Sequence, residues 1–412
     1  MSVAANRRIA ALASDRAVHR AFHWLHLHEP QLRRWQLEFT AVPAPPFQEA
    51  ERALWFRGQF AALGLDNPHI DAAGNAVAEL NPPSLPSSLV PLPCLLLSAH
   101  LDTVFPAGTD CTPREDGAVI HGPGACDNGA GLTALLGLAA ALKHAEIAPA
   151  TTILFCANVG EEGEGDLRGM RHLFKDSPYA GRIRSAIALE GSGTATIVDR
   201  ALGSRRLRLT IIGPGGHSWA DAGLPNPILA LASALLSIAN LQLPTKPRTT
   251  LNCGSIRGGT SVNSIPELAT ADLDLRSTSA LELDRTEFAI LKTLAQTLET
   301  ENRGISAAHQ LELNVKRIGD RPAGDLPSNS ALALSLRAVD RHLSIVTDPH
   351  IGSTDANLPL SLGVPALAIG CGGTASGIHT LQESYDPTGR DLALRRILLL
   401  LLDASSLVAE IA

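Results

Sequence analysis

The chain has 412 residues, 45% of them hydrophobic, and a formal net charge of -7. That length exceeds one comfortable core and points to about two domains. So mild a charge argues against a nucleic-acid or anionic-membrane surface.

The segment from Met1 to Arg8 lacks a continuous apolar run, so no signal peptide is expected. The pattern is helical from Asp15 to Leu65, with a break at Pro43, Pro45 and Pro46. A strand pair is expected around 70–80, with Gly74 and Asn75 at its turn, and the Pro- and Ser-rich stretch 81–88 reads as a loop. Next come an apolar strand at 94–98, a small-residue helix at 129–143, a buried strand at 151–159, a helix at 168–174 and a strand at 186–189. Apolar strands alternating with helices predict an α/β layer with a mostly parallel central sheet flanked by helices. The middle changes character: strand 205–212, helix 227–241, strands 249–256 and 267–276, helix 280–301 and strand 311–315. This β-α-β-β-α-β order predicts a ferredoxin-like α+β unit. After Gly319 the α/β pattern resumes, with a strand at 364–369 and a final helix whose apolar run 397–402 reads as buried. No stretch of about 18 apolar residues occurs, so no membrane span is expected. The expected organisation is a discontinuous larger domain, 1–203 and 319–412, interrupted by a smaller one at 204–318. The six cysteines form no C-x-x-C pair, and Cys94, Cys156 and Cys253 lie in apolar runs. They read as buried free thiols of a reducing, cytoplasmic compartment.

Acidic and imidazole side chains cluster just beyond the predicted strands, where ligand sites of α/β sheets collect. His100 follows the first apolar strand. A neutral imidazole binds zinc, and the nearby Asp102 could hold its other ring nitrogen. Asp127 lies among Gly122, Gly124, Gly129 and Gly131 just before a helix, in a spacing that does not fit a dinucleotide fingerprint. A carboxylate there can bridge two cations or simply cap the helix. Glu161 and Glu162 follow the strand at 151–159. Adjacent side chains after a strand point to different sides, so one can bind metal while the other faces water. Two ionised carboxylates so close repel unless cations compensate them; as a solvated loop pair they need no metal. Glu190 repeats the geometry, and His379 follows the strand at 364–369. His23 and His26 share a helix face without carboxylate or cysteine neighbours and read as surface residues.

Taken in order, several segments resemble the M20 family of metallopeptidases, which includes the glutamate carboxypeptidases, aminoacylases, succinyl-diaminopimelate desuccinylase and tripeptidase T. They are 98–103, 122–127, 160–163, 189–191, 213–218, 258–266, 274–276, 353–356 and His379, and they span nearly the whole chain. The resemblance implies two zinc ions, which cobalt or manganese could replace. Asp127 would bridge them, His100 and Glu190 would complete one site, and Glu162 and His379 the other. Glu161 would be the general base, with Asp102 beside it as a catalytic residue. The inserted unit matches the family's lid or dimerisation domain. His217 matches a histidine that reaches the active site of the partner subunit and stabilises the oxyanion; as a bare sequence feature it is a loop histidine after a glycine-rich turn. Asn263 and Arg276 match positions that bind a substrate carboxylate, which suits arginine's planar fork; Arg276 could equally be a strand-surface charge. Asn128 and Gly129 stand where many relatives carry a second acid or a lysine.

Within the family, Glu at the position of Glu190 goes with carboxypeptidases and acyl-amino-acid hydrolases. The expected reaction is therefore zinc-dependent cleavage of a C-terminal peptide bond or an N-acyl amide in a small substrate, by a cytoplasmic homodimer paired through the lid. A di- or tripeptide aminopeptidase is the alternative within the family. An inactive binding or scaffold protein on the same fold is the alternative of another class, and the presence of Glu161 with all five ligands speaks against it.

Overall fold

The structure, a computed structural model, describes residues 3–83 and 92–410. Met1 and Ser2 of the expected leaderless start, and residues 84–88 of the expected loop, lie outside the described residues. The chain divides into two compact units: Met1–Ala201 with Asp325–Ala412, and Leu202–Gly324.

The larger unit is built on a mixed sheet. Its central strands run Thr152–Asn158, Cys94–His100, Ile183–Leu189 and Ala366–Ile369 across the sheet, each parallel to the next. An antiparallel hairpin, Asp66–Ile70 with Ala76–Leu80, extends one side. Thr196–Ala201, antiparallel to Ala366–Ile369, extends the other and is joined by Asp348–Gly352. Every residue of Cys94–His100 and Thr152–Asn158 is buried. That is why these strands read as unbroken apolar runs rather than alternating ones. Helices Gly129–His144 and Arg390–Ala409 pack on the Cys94–His100 strand, and Arg16–Leu27 and Glu29–Thr40 pack on the first of these. The run 397–402 is buried throughout.

Several elements exceed the sequence expectation. Val3–Ala13 and Ala331–His342 are helices, the latter capped by Ser330 and burying Leu332, Ala333, Leu336 and Val339 on one stripe. The half-buried strand Thr196–Ala201 contains Asp199 and Arg200, which break any apolar pattern. A small separate sheet joins Arg114–Asp116, Val119–His121, Ser384–Asp386 and Thr374–Ser376. Its three-residue strands are too short to show a period.

In the smaller unit, four antiparallel strands lie in the order Thr249–Gly258, Leu268–Ser277, Gly203–Ile212, Glu312–Arg321. This is the ferredoxin-like arrangement, since helices Pro227–Ala239 and Ala280–Glu301 connect the strands across it. Ala269, Ala271, Leu273 and Leu275 alternate inward and share a core with Leu231, Ile238, Leu283, Ile290 and Leu294. Strand Glu312–Arg321 runs past the predicted end at 315 because its charges are paired: Arg317 lies 2.7 Å from Glu287, which also holds Arg205 at 2.7 Å. Cys253 corrects the expectation of a buried thiol. It is exposed, on a strand at the edge of its sheet, whereas the other five cysteines are buried. Among the described residues, no helix is long and apolar enough to cross a membrane.

Candidate metal centre and catalytic residues

The parallel strands end level with one another: His100 pairs with Asn158, Ser98 with Ala188, and Ile369 with Leu189. Residues at or just past these ends therefore share one rim. His100 is the last residue of its strand, Glu190 directly follows Leu189, and Glu161 and Glu162 come just after Asn158. Asp127 sits on the turn into helix Gly129–His144, and His379 lies between the short strands Thr374–Ser376 and Ser384–Asp386.

Asp127 stands between two imidazoles. Its Oδ1 is 3.1 Å from His100 Nε2, and its Oδ2 is 2.9 Å from His379 Nε2. Glu190 Oε1 lies 3.5 Å from His100 Nε2, and Glu162 Oε1 lies 3.2 Å from His379 Nε2. His100, Asp127 and Glu162 each place one donor atom within 4.8 Å of the others. The five predicted ligands thus converge, with Glu161 next in chain to one of them and 5% exposed.

Asp102 departs from its expected part. His100 Nδ1 donates to the backbone carbonyl of Asp102 at 2.9 Å, while the Asp102 carboxylate is 3.7 Å away. That carboxylate accepts the backbone N–H groups of Glu161 at 3.0 Å and Glu162 at 2.6 Å. Asp102 is fully buried. Its main chain orients the histidine and its side chain anchors the glutamate doublet, because the close strand ends leave the turn's N–H groups facing an anion.

The carboxylates and imidazoles of the rim shift one another strongly. Burial alone would lower His100, yet Glu190 and Asp127 drive it well above its ordinary value. Hydrogen bonds to Asp127 and Glu162 push His379 up to about 10. Burial pushes Glu190 up to about 7, against the pull of His100. For Asp127, burial is outweighed by the two imidazoles beside it, His100 and His379, which hold it below the usual carboxylate range. Because His100 Nδ1 carries the donated hydrogen, a neutral ring would turn its Nε2 lone pair onto two carboxylates. Asp127 Oδ1 is buried and accepts no hydrogen bond. Both facts fit a donor set made for a divalent cation.

The turn carrying Asp127 is held by Glu383, which the sequence did not flag, and by Asn128, noted there only as a departure from its relatives. Glu383, fully buried, accepts N–H from Gly124 at 3.2 Å, Cys126 at 2.8 Å and Asp127 at 2.9 Å. Its only sequence signal is an acid shortly after His379. Asn128, not Asp127, caps the helix: its Oδ1 accepts from Gly131 N at 3.1 Å, and its Nδ2 donates to Leu189 O at 2.8 Å. Gly131 permits this approach, since a Cβ there would lie 2.6 Å from Leu189 O.

Residues 96–401, well over half of the chain, match the model of peptidase family M20/M25/M40. The chain belongs to this family. A probable carboxypeptidase of Aspergillus clavatus is 29% identical over 202 residues, covering 45% of this chain and 44% of its own length. A probable carboxypeptidase of Paracoccidioides brasiliensis is 28% identical over 204 residues, covering 45% of each chain. The chain thus spans less than half the length of these curated relatives. A tripeptidase of Staphylococcus aureus superposes with a TM-score of 0.71 at 23% identity, covering 93% of this chain and 99% of that one. The YXEP protein of Bacillus subtilis, a dinuclear metal-binding peptidase of the M20 family, superposes with a TM-score of 0.66 at 14% identity, covering 92% and 98%. These likenesses show the fold.

The remaining candidates of this M20 chain lie in the smaller unit. His217 is exposed, and its Nδ1 accepts the N–H groups of Trp219 at 3.1 Å and Ala220 at 3.3 Å. The proton of a neutral ring therefore sits on Nε2, which makes that atom a donor. The short ladder Gly216–His217 with Ser264–Ile265 brings Asn263 beside His217, and Ser218 N–H donates to Asn263 O at 3.0 Å. Arg276 lies near the other end of strand Leu268–Ser277, roughly 26 Å along it at ~3.3 Å per residue, and its Nε donates to Asp274 at 2.7 Å. Asn263 and Arg276 are not brought together within this unit. Beside His217 a cavity of about 560 Å³ is lined by Gly216, Arg257, Thr260, Ser264 and Glu267, among others.

Proposed function

We propose that this chain is a zinc-dependent amide hydrolase acting on small peptides or N-acyl amino acids. The observation that carries the reading is Asp127, with one oxygen toward His100 and the other toward His379, and a further carboxylate beside each imidazole. His100, Asp127 and Glu190 would hold one ion, and Asp127, Glu162 and His379 the other. Two such ions acidify water and polarise the scissile carbonyl. Glu161 takes the proton of the attacking water and delivers it to the departing amine. His217 Nε2 is a donor suited to the developing oxyanion, supplied by a second copy of the chain. Asn263 or Arg276 would hold the free carboxylate of the substrate.

Glu190 and the relatives named probable carboxypeptidases support cleavage next to a free C-terminal carboxylate. The fold shared with the S. aureus tripeptidase and with aminopeptidase PepT of Bacillus cereus keeps an aminopeptidase as the second reading. The retained base and ligands oppose an inactive scaffold. Five buried thiols fit a reducing, cytoplasmic setting. The deciding experiment offers zinc-loaded protein paired libraries of N-blocked and C-blocked dipeptides. Cleavage confined to the N-blocked set is expected; cleavage confined to the C-blocked set selects the aminopeptidase, and no cleavage of either sinks the hydrolase reading. Glu161→Gln should keep zinc and lose turnover.

A further inference from the structure

Phe47 carries two anomalies at once. Its φ is 71°, in the left-handed region that bulky residues avoid, and the residue is 62% exposed. A residue in such a conformation persists only where its surroundings over-determine it, and such places cluster at functional sites. Here the loop that carries it is tied to the segment that follows His100. Ala44 O accepts the N–H of Thr103 at 2.9 Å, next to Asp102, and Gln48 N–H closes the turn onto Pro45 O at 2.9 Å. The fully buried Arg52 donates to Val42 O at 3.0 Å and to Leu101 O at 2.7 Å, which ties the start of the loop to the segment after His100. The ring is also held from the side. The Arg168 guanidinium lies 5.2 Å from its centroid and is fixed by Glu49 at 2.5 Å and Ala73 O at 2.6 Å. The stem of Arg168 lies against Gly160, where a Cβ would come within 2.5 Å of Arg168 Cγ; Glu161 is the next residue. The Phe47 ring thus lies against Arg168, whose stem packs on Gly160, the residue before the proposed base.

We propose that Phe47 is a specificity-determining residue: a fixed apolar wall at the mouth of the active site that favours substrates with an apolar or aromatic side chain beside the scissile amide. The proposal rests on the hydrolase reading above. A preordered ring offers a large apolar contact at little ordering cost, and it cannot reward a substrate that has no side chain.

The test compares wild type, Phe47→Ala and Phe47→Leu, all zinc-loaded, on N-blocked and C-blocked dipeptides that differ only in phenylalanine against glycine. Phe47→Ala should lower the phenylalanine-to-glycine ratio of kcat/KM by about 10-fold or more, mainly through KM. Phe47→Leu should restore part of the ratio, with zinc content unchanged. An unchanged ratio, or equal losses on both substrates, overturns the proposal. If the wild type cleaves neither series, the hydrolase reading fails, and calorimetric binding of N-acetyl-phenylalanine against N-acetyl-glycine decides Phe47 separately. A preference in wild type that Phe47→Ala abolishes supports the wall; no preference, or one that survives the substitution, overturns it.

Discussion

Asp102 shows how much one residue can arrange in a buried rim. Its carbonyl faces His100 and its carboxylate faces the N–H groups of Glu161 and Glu162. Replacing the side chain leaves the first contact in place and removes the second. Asp102→Ala is therefore predicted to keep zinc but to displace Glu161, lowering kcat by about 10²-fold, as a misplacement near 1 Å does. Two N–H groups left without an acceptor should also cost about 1–3 kcal/mol each in denaturant unfolding. Loss of zinc with undiminished kcat per bound ion would show that Asp102 acts on His100 instead. His379 makes a second prediction. Its pKa near 10 means that it is protonated at pH 8 in the metal-free protein, whereas a metal ligand must be neutral. Zinc binding at pH 8 should release its proton, and affinity should rise with pH until about 10. Calorimetry in buffers of different ionisation enthalpy reads the proton count, and His379→Ala should release one fewer. Equal counts would remove His379 from the ligand set.

At the scale of elements, the decisive feature is a turn held against a helix start. The turn 122–127 donates three N–H groups to Glu383, and Asn128 and Gly131 let helix Gly129–His144 approach the end of strand Ile183–Leu189. Glu383→Ala is predicted to destabilise the protein by about 1–3 kcal/mol or more, the penalty for buried groups left unpaired. It should also weaken zinc binding through a loosened Asp127. Urea unfolding and a zinc titration read the two effects separately. Glu383→Gln, which keeps an acceptor oxygen, should fall between wild type and Ala. A folded Glu383→Ala protein with unaltered zinc affinity would show that the turn holds Asp127 without this carboxylate.

At the scale of the molecule, two units with separate apolar cores share one chain. The proposed roles of Glu161 and His217 fall in different units, so they can be separated genetically. If His217 serves the site of a second copy, mixing His217→Ala with Glu161→Gln subunits should restore activity, because each mixed dimer would hold one complete site. Random pairing sets the expected recovery at roughly a quarter of wild type. No recovery in verified mixed dimers would assign His217 to its own chain or to no catalytic part.

The sequence by itself determined the class of the larger sheet, since strands covered on both faces must be apolar throughout, and it placed His100, Glu161, Glu162 and Glu190 just beyond those strands. It also carried the family motifs, because ligand chemistry tolerates few residue types. Only the tertiary structure decided which atoms meet. That His379 reaches Asp127 across 252 residues depends on level strand ends and a small sheet whose strands leave no periodic trace. Which part of Asp102 holds His100, what Glu383 anchors, and how Arg168 comes to lie between the Phe47 ring and Gly160 all follow from long-range hydrogen bonds and close packing. Local sequence encodes side-chain chemistry and periodicity; register and the closing of loops onto one another belong to the whole chain.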